Sequence, residues 1–451
     1  MGEIILELLR ERRIKDLRQR LSEENPVDIA AAIDELVDDE KLTREELLLL
    51  FRVTPKDIAS DAFVEMEHDT QQLLITGFND AELREVLNDL FLDDAVDIIE
   101  EMPAGVVKRM LKNVDAETRK SINQLLNYPE DSAGSIMTIE YVDLKRNMTV
   151  EQAFSRIRKT GVDKETIYTC YVTDRNRKLL GLVSVKDLLL ASYEDEVGDI
   201  MEENVISVTT SDDQELVAQM FGKYDFIALP VVDSEQRLVG IITVDDVIDV
   251  LQEEFTEDIE KMAAITPTDK PYLRMSVFEI WKARIPWLLL LMVSATFTGL
   301  IITSFEQALA AQIALTAFIP MLMDTGGNSG SQASVTVIRA LSLGDIEFSD
   351  IWEIIWKEIR VSVMCGVSLA AVAFAKLMLF DKVGAPVALV VTITLAFTVF
   401  IAKIVGCSLP LISKKLGFDP AVMSAPFITT IVDALSLLIY FQVASMLLKL
   451  A

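Results

Sequence analysis

Leu179-Leu-Gly-Leu-Val-Ser-Val-Lys-Asp-Leu188 and Leu238-Val-Gly-Ile-Ile-Thr-Val-Asp-Asp-Val247 are two copies of one phrase, and they decide the fold of the middle of this chain. Each sets a β-branched, glycine-containing run ahead of a Ser or Thr placed to cap the next helix. A second short strand, expected over 168–172 and 228–232, precedes each copy and ends in Asp and a turn. Ser135-Ile-Met-Thr138 and Asp199-Ile-Met-Glu202 open the two units. The pattern is β-turn-β-α, twice over, in an α/β module spanning 132–255 with halves at 132–195 and 196–255.

Outward toward the N-terminus, residues 1–131 show apolar positions three and four apart, the period of packed helices. Pro26-Val-Asp-Ile-Ala30, Pro55-Lys-Asp-Ile-Ala59 and Asp93-Asp-Ala-Val-Asp97 repeat a phrase whose Pro or Asp suits a helix start. A small α-helical superhelix of degenerate units is expected. Toward the C-terminus, a charged connector over 256–283, with helical spacing in its first part, leads to apolar stretches at 285–304, 308–323, 335–343, 361–380, 386–412 and 421–448. A spanning helix needs about 20 apolar residues. The second and third stretches are short and flank Pro320 and Asp324-Thr-Gly-Gly-Asn-Ser-Gly-Ser-Gln332, so they read as one span interrupted by polar backbone. Five spans result, in an all-α domain over 284–451.

Charge divides along the same line. The first 270 residues hold 60 acidic and 30 basic side chains, net −30, while the remainder holds 11 and 12. Such a surface repels nucleic acid and anionic lipid and attracts cations. Lys282 and Arg284, then Arg339, Lys357 and Arg360, then Lys414 and Lys415 flank alternate span ends. The positive-inside rule therefore puts the N-terminal half in the cytosol and the C-terminus outside a cell membrane. The N-terminus lacks the apolar h-region of a signal peptide, in keeping with that topology.

The three cysteines are far apart and His68 is the single histidine, which disfavours thiolate and imidazole metal sites. No nucleophile–base pair, P-loop or Rossmann fingerprint appears, so an enzyme is not expected. The chemistry on offer is hard oxygen. Asp433 lies deep in the last span, in Pro426-Phe-Ile-Thr-Thr-Ile-Val-Asp433, and Asp324 opens the polar stretch that also carries Asn328. Intramembrane carboxylates are costly and point to function, and oxygen-only ligands favour Mg²⁺, Ca²⁺ or Mn²⁺. A ring of such groups in a symmetric oligomer makes a cation-selective neck. Two plainer roles compete: an interhelical salt bridge from Asp433 to Lys403, and a helix cap for Asp324.

The duplicated middle resembles the tandem CBS module. That resemblance puts Ser184 with Asp187, and Thr243 with Asp246, where the family holds a nucleotide ribose, with Phe226 as a base-stacking partner; the same pairs also serve as helix caps. The whole order of helical domain, CBS pair, connecting helix and five spans looks like the MgtE family of magnesium channels and transporters. Tyr128-Pro-Glu-Asp-Ser-Ala-Gly134, Glu165-Thr-Ile-Tyr168, Val244-Asp-Asp-Val247, Thr256-Glu-Asp258, Gly326-Gly-Asn328 and the segment through Asp433 carry the likeness. It implies a homodimer in which Asp433 of both chains holds hydrated Mg²⁺ in a pore. It implies a cytosolic Mg²⁺ sensor built from Asp246, Glu254, Glu257 and Asp258, with Asp94 and Asp97 on the helical domain and Asp419 at the cytosolic end of the last span. ATP or a related adenine nucleotide is the expected ligand of the CBS pair. Ser331, where the family commonly has Asn, and Asp324, where a Gly can stand, depart from the family pattern. Two alternatives remain: a CBS-regulated carrier of Mn²⁺ or Co²⁺, and a membrane-anchored nucleotide sensor that transports nothing.

Overall fold

The structure is a computed structural model and describes residues 1–268, 272–273, 275–306, 310, 312–423 and 425–448. Lys270 and Pro271 of the connector, residues 308–309 of the second apolar stretch, and the terminal Ala451 lie outside the described residues. The chain divides into two compact units, Met1–Val250 and Leu251–Ala451.

The first unit begins with ten short helices: α1 (Gly2–Arg10), α2 (Ile14–Glu23), α3 (Pro26–Asp38), α4 (Arg44–Val53), α5 (Lys56–Val64), α6 (His68–Gly77), α7 (Asp80–Asp89), α8 (Leu92–Glu101), α9 (Ala104–Asn113) and α10 (Ala116–Leu125). Their starts are written locally. Asn25 caps α3, Thr43 and Asn79 form capping boxes with Glu46 and Glu82, and Asp115 caps α10. Alternate helices pack together, α3 on α5, α4 on α6, α7 on α9 and α8 on α10, which is how a superhelix of repeats closes its core. Ile29, Ile33, Leu50, Phe63 and Leu74 are fully enclosed between them.

Two matching sheets follow. In the first, β1 (Asp143–Leu144) runs parallel to β2 (Thr169–Thr173), which pairs antiparallel with β3 (Leu179–Ser184); the second repeats this with β4 (Val208–Thr209), β5 (Ala228–Val232) and β6 (Leu238–Thr243). Helices α11 (Val150–Thr160), α12 (Val185–Leu190), α13 (Val197–Ile200), α14 (Gln214–Tyr224) and α15 (Val244–Met262) complete the module. The two opening phrases are exchanged between the repeats. Thr138 bonds Ile241 of the second repeat, and Glu202 bonds Leu182 of the first. A Cβ at Gly181 would lie 2.7 Å from the Glu202 carbonyl and one at Gly240 2.7 Å from the Thr138 carbonyl, so both glycines are there for the crossing.

The expected connecting helix over 256–283 is not one element. Its first turns are the tail of α15, which runs unbroken to Met262, and its last residues start α16 (Val277–Ser304) behind a Ser276–Glu279 capping box. The second unit continues with a 3-10 turn over Ile313–Phe318, then α17 (Ile319–Ser342), α18 (Ile351–Leu379), α19 (Ala385–Lys415) and α20 (Ala425–Leu448). Among the described residues, four helical segments are long and apolar enough to cross a membrane: Val277–Ser304, Phe348–Leu379, Ala385–Lys415 and Pro420–Leu448. Exposed Leu288, Met292, Phe297, Met364 and Val372 on α16 and α18 form the outward surface that lipid would solvate.

One expectation fails here. The glycine-rich stretch after Asp324 does not interrupt its span: α17 is helical throughout, and the irregular backbone lies earlier, at Ile313–Phe318. The reason is packing. A Cβ at Gly326 would lie 2.6 Å from Thr398 Cγ2, and one at Gly406 of α19 would lie 2.2 Å from the Gly330 carbonyl oxygen. The helix seam formed this way offsets the roughly 1 kcal/mol that each interior glycine costs relative to Ala.

Candidate divalent-cation sites

Helix α8 carries Asp93, Asp94 and Asp97 in Asp93-Asp-Ala-Val-Asp97, three and four residues apart, so they share one end of a face. The CBS repeats bring Glu140, Glu165, Asp245 and Asp246 to the same place. Asp93 is only 7% exposed, and burial, then Asp94, pushes its carboxyl up to about 7. Burial and then Asp246 push Asp94 up to about 7. Asp246 also rises to about 7, from burial and then Asp93, against a 2.7 Å hydrogen bond donated by Thr243. Glu165 rises to about 8 from burial, Asp93, Asp245 and Asp246, and its Oε2 is buried with no hydrogen-bond partner among the described residues. Asp97 is pushed up by desolvation and then by Asp246, Asp93 and Asp94; it stands at the exposed edge, where water relieves it most. Glu140 accepts the Leu92 N–H at 3.0 Å and so ties the CBS module to the start of α8.

This is carboxylate facing carboxylate. Among the described residues no three Asp, Glu, His or Cys side chains are gathered as a closed metal site. A hydrated divalent ion needs less, since Mg²⁺ keeps several waters and takes one or two carboxylates. The orphaned Glu165 oxygen and the buried Asp93 are the groups such an ion would satisfy.

Farther along α15, Glu254, Glu257, Asp258 and Lys261 lie on one helical stripe. Lys261 Nζ is 2.5 Å from Glu257 and 2.7 Å from Asp419, so an ammonium already bridges two of the expected sensor acids. Asp258 accepts from the Ser342 hydroxyl at 2.8 Å, and burial raises its carboxyl.

In the apolar helices, Asp433 is half-buried on α20 and lies within electrostatic range of Asp324 on α17. Asp324, Asn328 and Gln332, four residues apart, line the exposed face of α17, opposite the glycine seam. Asp433 does not pair with Lys403. That lysine, 5% exposed on α19, has its ammonium 3.7 Å from Glu358 of α18. Nor is Asp324 a helix cap, because it sits inside α17.

At the CBS pair, Ser184 and Asp187 form a capping box at the start of α12, and Asp187 remains exposed. Phe226 is half-buried, with its ring 5.4 Å from Tyr224 and 6.2 Å from Phe221.

Family models match this chain in three parts: the MgtE divalent cation transporter domain over residues 319–443, the MgtE intracellular N domain over 24–131, and CBS domains over 133–194 and 197–253. The magnesium transporter MgtE of Thermus thermophilus is 38% identical over 448 residues, 98% of this chain and 97% of that one. The chain belongs to the MgtE family. The magnesium transporter MgtE of Bacillus subtilis is 35% identical, over 98% of this chain and 96% of its own. Among solved structures, the cytosolic domain of the Mg²⁺ channel MgtE in complex with ATP matches with a TM-score of 0.51 and 37% identity, over 55% of this chain and all of that one. The soluble part of a magnesium transporter matches with a TM-score of 0.51 and 30% identity, over 56% of this chain and 97% of its own.

In this MgtE chain, sequence reasoning singled out Asp94, Asp97 and Asp246 but passed over Asp93, Glu140, Asp245 and Lys261. Glu165 was quoted only for the likeness it carries. The signal for Asp93 is its place at the first position of the recurring helix-start phrase, Asp93-Asp-Ala-Val-Asp97. Nothing in the chain near Lys261 announces Asp419.

Proposed function

We propose that the chain moves Mg²⁺ across the plasma membrane as a homodimeric channel with five spans per protomer. In this reading the N-terminal half lies in the cytosol and the C-terminus outside. Hydrated Mg²⁺ passes Asp433, with Asp324 and Asn328 on the adjoining polar face of α17. The observation that carries the regulatory part is the meeting of Asp93, Asp94, Asp97, Glu165 and Asp246 with no base among them. Only a state that binds the cation better gains population from it. Cytosolic Mg²⁺ among these acids stabilises the docked helical and CBS domains, and that docked state closes the pore. Glu254, Glu257, Asp258 and Asp419 form the second sensing region, where Lys261 supplies positive charge when Mg²⁺ is scarce.

An adenine nucleotide such as ATP binds at Asp187, whose exposed carboxylate accepts the ribose hydroxyls, with Ser184 and Phe226 beside it. The likeness to the ATP-bound cytosolic domain supports this part. The reading is tested with purified protein in liposomes, measuring Mg²⁺ flux while Mg²⁺ or matched NaCl is varied on the domain side. Flux that Mg²⁺ does not suppress, or that NaCl suppresses equally, overturns the gating. Equal uptake of Mn²⁺ or Co²⁺ in competition overturns selectivity for Mg²⁺.

A further inference from the structure

The first CBS repeat holds a cavity of about 380 Å³ between α11, the chain entering β1, and the β2–β3 turn. Its charged lining is Arg156, Lys164 and Arg177 against a single carboxylate, Asp143. In a half-chain where acids outnumber bases two to one, a cavity of this sign is an exception. Asp143 is already matched: Arg156 Nε donates to its carbonyl at 2.6 Å, Arg156 Nη2 donates to its carboxylate, and Lys145 Nζ lies 3.1 Å away. Lys164 and Arg177 are therefore surplus positive charge. Arg177 donates to the Tyr141 hydroxyl at 2.9 Å, and half-buried Lys164 has no hydrogen-bond or ion-pair partner among the described residues. The Thr173 oxygen accepts from Lys145 at 2.7 Å, which leaves its own proton free to donate.

The duplication supplies an internal control. Strand register and helix starts match Asp143, Arg156, Thr173 and Arg177 to Ser207, Met220, Val232 and Gln236 of the second repeat. The same fold forms there with every one of these charges absent, so folding does not require them. The cavity is also separate from the Ser184–Asp187 pair. Thr169 pairs with Ser184 at one end of the β2–β3 ladder, whereas Thr173 pairs with Leu179 at the other. Four strand rises, about 13 Å, separate the two ends.

We propose that this cavity binds a phosphorylated small molecule, its phosphoryl group held by Lys164, Arg177 and the Thr173 hydroxyl. The volume is at the lower end of ligand clefts, about 300–1,000 Å³, and suits a nucleoside monophosphate or sugar phosphate better than bare phosphate. Guanidinium and ammonium donors with a hydroxyl are the usual partners of a phosphoryl dianion. The inference does not depend on nucleotide binding at Asp187.

Equilibrium dialysis of the full-length protein in lipid nanodiscs tests it, with AMP, ribose 5-phosphate and inorganic phosphate as probes. At least one of the two organic phosphates should bind. Combined Lys164→Gln and Arg177→Gln should weaken that binding by about tenfold or more, the worth of hydrogen bonds to a charged group. Thr173→Val, the residue the second repeat carries, should weaken it less and Lys164→Arg should retain it; AMP is measured in the Asp187→Ala background, which removes the separate adenine-nucleotide site and should keep the binding of this cavity. Absence of binding by all three probes overturns the proposal. So does binding that Asp187→Ala abolishes and the Lys164 and Arg177 replacements leave unchanged, or binding of inorganic phosphate alone.

Discussion

Glu165→Gln isolates the repulsion among the acids of α8 and the CBS module. The carboxyl has an ordinary value of 4.5 and stands at about 8 in the folded chain, with Asp93, Asp94 and Asp246 each near 7. All of these folded values lie above the unfolded ones, so the folded state holds more protons between about pH 4 and 8. Stability of the docked arrangement therefore falls as pH rises through that window and is lowest above pH 8. At 1.36 kcal/mol per pH unit, an ionised Glu165 in this place costs about 3–5 kcal/mol. Neighbours that take up protons or turn toward water reduce the measurable part to about 1–3 kcal/mol. Gln keeps the shape and removes the charge. Hydrogen exchange of the α8 amides in the full-length protein reads the effect. In Mg²⁺-free buffer at pH 8.5, protection should rise about 5- to 100-fold in the variant, and less at pH 6, where the wild-type carboxyl keeps its proton. Millimolar Mg²⁺ should raise protection in the wild type far more than in the variant, and matched NaCl should not substitute. Lower protection in the variant at pH 8.5, or an undiminished Mg²⁺ response, would refute the argument that this carboxylate is an unpaired charge awaiting a cation.

Asp433→Asn should remove most Mg²⁺ flux in liposomes while leaving the size-exclusion profile of the wild type unchanged; normal flux takes Asp433 out of the conduction path. Lys261→Gln should speed proteolysis of the segment after Met262 about fivefold in Mg²⁺-free buffer, with Mg²⁺ restoring the wild-type rate. Unchanged cleavage would mean the bridge from Glu257 to Asp419 contributes nothing. Gly406→Ala should lower thermal stability by about 1–3 kcal/mol, because its new methyl meets the Gly330 carbonyl, which is backbone and cannot rotate away. Gly222→Ala, with open space around it inside α14, should instead raise stability by about 0.5–1 kcal/mol, and the pair is read by melting in one detergent.

What could be read from the chain alone was whatever its neighbours in sequence determine. The Ser184–Asp187 capping box and the β3 run before it are local, and they stand where the phrase puts them. The α3 start at Asn25-Pro26 is local too. Helix α17 was misread for the same reason. Three glycines in five residues weigh against a helix when counted along the chain, but the decision is made by Gly406, 76 residues after Gly330, whose backbone packs against it.

Charge follows the same rule more severely, because a carboxylate is defined by what faces it. Glu358 and Glu165 look equally ordinary in sequence. Each has a buried Oε2 without a hydrogen-bond partner among the described residues, but that of Glu358 lies 3.7 Å from the buried Lys403 ammonium, whereas the charges acting on Glu165 are those of Asp93, Asp245 and Asp246. The first faces a cation on α19 that offsets its charge. The second sits among carboxylates of like charge. In the proposed reading a proton and a hydrated divalent cation compete to complete a site of that kind. Rising pH removes the first competitor, so the demand for the second should grow as the cytosol becomes more alkaline.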